Sequence, residues 1–353
     1  MNKVLYIILI SLFSFTVISC SEDKEESTTD TTTTTTTSSP LFVAVGNAGT
    51  ILTSSDGISW DNRTSGTTEK LRAVAYGNST LVVAGYSGTI LTSSDGTTWT
   101  SKTSGTSNDL YGVAFANNTF VVVGVSGTIL TSSDGITWTS RTSGTSNLLG
   151  NVTYKNSTFM AVGNSGTILT SSDGTTWTSK TSGTTKGLWG VTYGNSTWVT
   201  NGDNGSIFTS SDGTSWDNRT SASGTTVELN EVIYENSTFV AFGYSGTILT
   251  SSDGITWTSR TSGTTNKVHS GTFGNNIFVT VGDNGTILTS SDAITWTAKT
   301  LGTTDKLNGI AYGNSTYVTV GNNGTIFSST DTNTWTSRTS GTSENFRRVF
   351  YKE

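Results

Sequence analysis

Three observations predict the fold class. Residues 40 to 353 form eight tandem copies of one unit, each unit holds four strand-like runs, and the last segment supplies a strand that the first unit lacks. Together they predict an all-β fold: an eight-bladed β-propeller of four-stranded antiparallel blades, closed when the C-terminal strand completes the N-terminal blade.

The repeat is marked by Ser-Ser-Asp-Gly-x-Thr-Trp, whose tryptophan recurs at Trp60, Trp99, Trp138, Trp177, Trp216, Trp257, Trp296 and Trp335. The spacing is 39 residues at every step but one of 41, where Ser221-Ala222-Ser223-Gly224 lengthens a loop. In the second copy the runs are Leu71 to Tyr76, Leu81 to Gly85, Thr89 to Thr92 and Thr98 to Thr103, separated by turn-forming Gly, Asn and Ser. The first copy opens on the second run, Phe42-Val43-Ala44-Val45, and Phe346 to Tyr351 match its missing first run. An open ring would leave sheet edges free to aggregate, so the two ends are expected to pair.

Within the marker, the carboxylates of Asp56, Asp95, Asp134, Asp173, Asp212, Asp253, Asp292 and Asp331 are suited to accept backbone N–H groups across a tight turn, a structural duty. The glycine that follows supplies a backbone conformation other residues resist, and the tryptophan packs beneath. Ala293 and Thr332 replace that glycine in the last two copies, which predicts turns that are strained or differently shaped.

The chain carries 40 Gly, 10 Trp, one Pro and a formal charge of −6, with only 12% charged residues. An acidic balance without a Lys/Arg cluster argues against a nucleic-acid partner or an anionic membrane surface. Cys20 is the only cysteine, so no internal disulfide or cysteine metal site can form. Residues 1 to 19, with Lys3 before an apolar run from Val4 to Ile18, read as a signal peptide too short for a comfortable membrane span. Residues 20 to 39 turn acidic and then almost pure threonine, which predicts a disordered tether.

The chemistry of catalysis is hard to find. His269 has no counterpart in the other copies and no nucleophile motif beside it. Glu69, Asp109, Glu228, Glu231 and Asp305 break the repeat symmetry but read as solvated loop residues. Asp203-Asn204-Gly205 and Asp283-Asn284-Gly285 are too short for a calcium loop and read as turns, so neither a metal site nor a cofactor is expected. A basic residue three positions after each marker tryptophan, from Arg63 to Arg338, reads as a solvated or ion-paired rim.

The copies differ most at two positions. The second residue of the first run reads Arg72, Tyr111, Gly150, Trp189, Asn230, His269, Asn308 and Arg347. The residue after the second run's glycine reads Asn47, Tyr86, Val125, Asn164, Asp203, Tyr244, Asp283 and Asn322. In a four-stranded blade, the loops into the first strand and out of the second share a face, opposite the marker turns. The two sets should form concentric rings at the mouth of the central channel, rich in the Arg, Tyr, Trp and His of binding hot spots.

The unit Leu-x-x-Val-x-Tyr, then Val-Gly-x-x-Gly-Thr-Ile-Leu-Thr-Ser-Ser-Asp-Gly-x-Thr-Trp, resembles the Asp-box (BNR-type) propellers of the photosystem II assembly-factor type and of sialidase and sortilin relatives. The resemblance implies the propeller; it leaves activity open, because this fold hosts unrelated functions. A sialidase would need an arginine cluster, a tyrosine nucleophile paired with a glutamate, and an Arg-Ile-Pro type motif, whereas the one proline here is Pro40. Val17-Ile18-Ser19-Cys20 resembles a lipobox and Ser21-Glu22-Asp23 an export signal of Gram-negative surface lipoproteins, which implies a lipidated Cys20 on the outer membrane. The reading is a surface-anchored, monomeric, non-catalytic module that holds a protein or glycan. A sialidase-like hydrolase or lyase, or a purely structural surface protein, are its alternatives.

Overall fold

The computed structural model describes residues 39–220 and 224–353. The expected signal peptide, Cys20 and nearly all of the tether lie outside the described residues, as do Ser221, Ala222 and Ser223 of the longer loop. From Leu41 onward the chain builds eight four-stranded antiparallel sheets, each with its strands side by side in the order first, second, third, fourth. Blades are numbered here by their marker tryptophan, so blade 1 carries Trp60 and blade 8 carries Trp335.

Blade 1 is closed from both ends of the propeller. Its second, third and fourth strands are Leu41–Gly46, Ile51–Ser54 and Asp61–Arg63, and its first strand is Phe346–Lys352. Phe42 lies opposite Tyr351, Val43 opposite Phe350 and Ala44 opposite Val349. Phe346 is fully buried there, and burying a phenylalanine side chain stabilises by about 1.5–3 kcal/mol.

The order of burial explains the sequence of each strand. In blade 2 the second strand, Thr80–Gly85, reads Leu-Val-Val-Ala at its centre, and all four are fully buried because one face meets each neighbouring blade. The resulting core is divided among eight clusters, one at each interface between successive blades. The cluster joining blade 8 to blade 1 holds Val318, Val320 and Ile326 against Phe42, Ala44 and Phe346, so the seam is packed like every other interface.

The fourth strand is shorter than the sequence suggests: in blade 2 it is only Thr100–Lys102. The aspartate turn occupies the residues before it, and a second turn, in which the Thr106 N–H donates to Ser104 Oγ at 3.3 Å, begins just after it. A three-residue polar edge with a basic residue is a poor template for pairing with another chain. The rim cations are also partly engaged, as Arg141 Nε donates to Thr131 Oγ1 at 2.8 Å and Arg260 Nε to Thr250 Oγ1 at 2.7 Å. Arg63 and Arg219 add ion pairs to Asp61 and Asp217.

At each marker turn the aspartate bridges the backbone. Asp134 Oδ1 accepts from the N–H groups of Ile136 and Thr137, both at 2.8 Å, and from Ser132 Oγ. Ser132 Oγ in turn accepts from Gly135 N–H at 2.8 Å, and Trp138 Nε1 donates to the Gly135 carbonyl at 3.1 Å. Gly135 has φ +72°, and in the last two blades Ala293 and Thr332 adopt φ 59° and 61° with the same aspartate bonds. Those two turns therefore keep the common shape and carry the strain, of order 1 kcal/mol for a non-glycine residue in the left-handed region.

These bonds hold all eight turn carboxylates below the ordinary carboxylate range. For Asp134 the N–H of Thr137 contributes most, then that of Ile136, and together with Ser132 they bring it down to about 2. A carboxylate held lower in the folded state lends stability above its unfolded pKa and loses it as pH falls through the folded one. Asp305 is lowered as well, while Glu231 and Glu235 move the other way, so nine carboxyl groups oppose two. The melting temperature is expected to fall steeply between about pH 4 and pH 2, and Asp134→Asn, read by circular dichroism, should make that fall shallower. A melting temperature that holds steady across this window would contradict the role given to the turns.

Candidate functional site

Each first strand carries the same irregularity. Leu71 pairs with Gly85 and Ala73 with Ala84, so Arg72 is left opposite no residue, as the extra residue of a β-bulge. The pattern recurs in every blade, and the unpaired residue is always the variable one: Tyr111, Gly150, Trp189, Asn230, His269, Asn308 and Arg347. A bulge releases a residue from strict strand alternation and re-aims it, which is how residues from separate blades come to share one central cavity.

A second contact holds the bulge beside the outer ring of variable residues. Tyr86 N–H donates to the Lys70 carbonyl at 2.8 Å, Asn47 N–H to Asn345 at 2.8 Å and Asp283 N–H to Lys267 at 2.9 Å, with equivalents in the other blades. The glycine before each donor makes the approach possible, since a Cβ on Gly85 would collide with the Lys70 carbonyl.

Seven of the eight bulged residues, all but Trp189, line a single cavity of about 390 Å³ at the centre of the ring. Its wall draws on the first strands of seven blades and adds Asn151, Lys306 and Arg348. The two rings are joined radially: Trp189 Nε1 donates to Asp203 Oδ1 at 2.7 Å, Asn308 Nδ2 to Asn322 Oδ1 at 2.9 Å and Arg347 Nε to Asn47 Oδ1 at 3.0 Å. The first of these ties Trp189 to its own blade's Asp203, whose Oδ2 also accepts from Gly187 N–H at 3.0 Å.

His269 and Asp283 approach to 2.7 Å. Burial holds the imidazole down to about 4 against the opposing hydrogen bond from Asp283, so His269 is neutral near pH 7 and this contact is a hydrogen bond rather than an ion pair. Tyr86 and Tyr111 stand 5.8 Å apart between ring centres with Arg72 4.8 Å over the Tyr111 ring. Burial and the Tyr86 hydroxyl push the Tyr111 phenol up to about 12, so it stays a donor. Tyr244 is 41% exposed on the outer ring, with Lys267 Nζ 3.6 Å over its ring.

Two findings depart from the sequence reading. Glu231 is not a loop residue: it lies in the first strand of blade 6, next to the bulge, where burial raises its carboxyl above the usual range against the pull of Arg348. Asp305 does sit in a loop but is fixed by Asn323 Nδ2 at 2.7 Å and Thr325 Oγ1 at 2.6 Å. Lys306 was legible only as another position where the copies disagree, since the residue before the first strand reads Lys70, Asp109, Leu148, Gly187, Glu228, Lys267, Lys306 and Asn345.

The family described as the DUF6242 beta propeller domain matches residues 61–180, from the fourth strand of blade 1 through blade 4. No curated protein matches the chain in sequence. Among solved structures, the computationally designed Ika8 protein is similar at 15% identity and a TM-score of 0.67, covering 86% of this chain and 92% of that one. YCF48 bound to D1 peptide is similar at 17% identity and a TM-score of 0.58, over 72% of this chain and 90% of that one. YCF48 from Cyanidioschyzon merolae is similar at 15% identity and a TM-score of 0.54, over 70% and 91%. At such identities the likeness is one of fold.

Proposed function

We propose that this chain is a surface-anchored, non-catalytic binding propeller that recognises a protein or glycan through the face carrying its bulged first-strand residues. The observation that carries the reading is convergence: seven of the eight bulged positions, at which otherwise similar blades differ, meet in one central cavity. Concave sites with a few converging polar groups are the usual places for ligands. Arg, Tyr and Trp are the side chains that most often dominate binding energy. The peptide seen with YCF48 gives a precedent for a propeller of this fold holding a protein segment.

A glycosidase reading finds less support. Hydrolysis of a glycosidic bond asks for two carboxyl groups on either side of it. Glu231 stands alone among the first-strand residues that bear a carboxyl, apart from Glu235 at the far end of the same strand. Asp203 and Asp283 are committed to Trp189 and His269. The tether and lipidated Cys20 belong to the same proposal, as the means by which the face would be displayed outside the cell.

A glycan array and a pull-down with the full chain should yield a ligand whose capture falls by at least about thirtyfold in Trp189→Ala and in Arg347→Ala, with the circular dichroism spectrum unchanged. Capture indifferent to both substitutions would remove this face from consideration. Labelled palmitate is expected to enter the wild-type chain and not Cys20→Ala; equal labelling of the two would discard the anchor.

A further inference from the structure

The chain is acidic overall, with a formal charge of −6, yet the wall of the central cavity holds Arg72, Lys306, Arg347 and Arg348 and no carboxylate. Among the described residues none of these four cations makes an ion pair. Arg72 rests on the Tyr86 and Tyr111 rings at 5.9 and 4.8 Å, and Arg347 spends its Nε on Asn47. Their terminal guanidinium N–H groups are left without an anionic partner. Burial lowers both Lys306 and Arg347; at Lys306 the Asp283 carboxylate opposes it, ahead of weaker repulsion from Lys267, Arg347 and Arg72, and at Arg347 repulsion from Arg72 adds to it. His269, held neutral, adds no charge of its own.

The carboxamides in the same wall are oriented by the blades. Asn151 Nδ2 donates to the Trp189 carbonyl at 3.1 Å and Asn230 Nδ2 to the Val268 carbonyl at 2.6 Å, each reaching the first strand of the next blade. Their amide hydrogens are thus partly spent within the protein, and the Oδ1 atoms remain as acceptors. The apolar lining is confined to Ala73, Val74, Val113 and Val152, small side chains that offer no slot for a large apolar anchor. The cavity therefore supplies fixed cations for an anionic group and free oxygen acceptors for hydroxyl donors.

We infer that the central cavity binds a sugar acid, a glycan residue whose carboxylate is held by Arg72, Lys306, Arg347 and Arg348 and whose hydroxyls donate to Asn151 and Asn230. The inference rests on the binding-face reading above and narrows its ligand. Arg72, Arg347 and Lys306 come from three consecutive blades, 2, 1 and 8, so the cations form a crescent on one side of the axis and the hydroxyl acceptors, from blades 4 and 6, lie away from it. A ligand with its charge at one end and donors at the other matches that asymmetry. An acidic peptide offers the charge without the hydroxyls.

The test is calorimetric titration of the full chain with a galacturonate trisaccharide, its methyl ester, and an acidic peptide with a free C-terminus. The free-acid sugar should bind, the ester should bind at least about tenfold more weakly, and affinity should drop as salt is raised. Arg72→Gln and Lys306→Gln should each weaken binding of the acid by at least about tenfold, whereas Arg141→Gln on the rim should leave it unchanged. Equal binding of acid and ester, or binding untouched by Arg72→Gln and Lys306→Gln in folded protein, overturns the proposal. Binding of the peptide in place of the sugar overturns the sugar assignment and leaves the binding face standing. Failure of all three probes, while capture of another ligand still depends on Trp189 and Arg347, likewise removes the sugar acid and spares the face.

Discussion

The pairing of Leu41–Gly46 with Phe346–Lys352 is the contact on which the rest of the molecule depends. It turns a row of blades into a ring, so that each of the eight interfaces is packed and the second strand of blade 1 is not left as an uncovered edge. It also decides the character of the center. Arg347 and Arg348 reach the cavity only because the last strand is the first strand of blade 1, and the other two cations, Arg72 and Lys306, belong to the blades on either side of it. The positive side of the cavity is the closure seam itself, where two segments some 300 positions apart meet, as in the bond between Arg347 and Asn47.

The blade is a conserved mould within the chain, and its economy lies in separating structural from variable positions. The aspartate turn, the buried second strand and the glycine that admits the preceding carbonyl are nearly constant from blade to blade, and each has a geometric reason. The bulged residue is excused from pairing, so its identity can change without loss of ladder hydrogen bonds. Eight positions can then differ freely while the sheets around them stay the same. Likeness to other propellers speaks to that mould; what the chain binds is set by the residues that escape it.

Much of the architecture was legible in the sequence because repetition reveals it. The 39-residue period located every blade, and the match of Phe346 to Tyr351 with the strand missing from the first unit located the seam. The bulge was not legible: a bulged residue has no composition of its own, and a strand read by alternation gives no sign that Arg72 or Tyr111 lies opposite nothing. The same blindness placed Glu231 in a solvated loop, since a charged residue one position past the bulge looks like the end of a turn until the register is known. Seven residues of the inner variable ring line the cavity, whereas Trp189 bonds to Asp203 instead and Lys306 entered the wall unannounced. The fourth strands were read too long because the aspartate turn and the following serine turn use residues whose side chains also suit strands.

Backbone amide exchange across the seam tests the closed ring most directly. Local openings exchange faster than the global transition, whereas amides in a cooperative core exchange only when the whole unit unfolds. If the seam is an interface like the others, the protected amides of residues 42–45 and 348–351 should exchange as slowly as those of residues 82–84 in the second strand of blade 2. Seam amides that exchange far faster than those of blade 2, under conditions where the rest of the ring stays protected, would show a frayed joint and contradict the closed propeller on which the site depends.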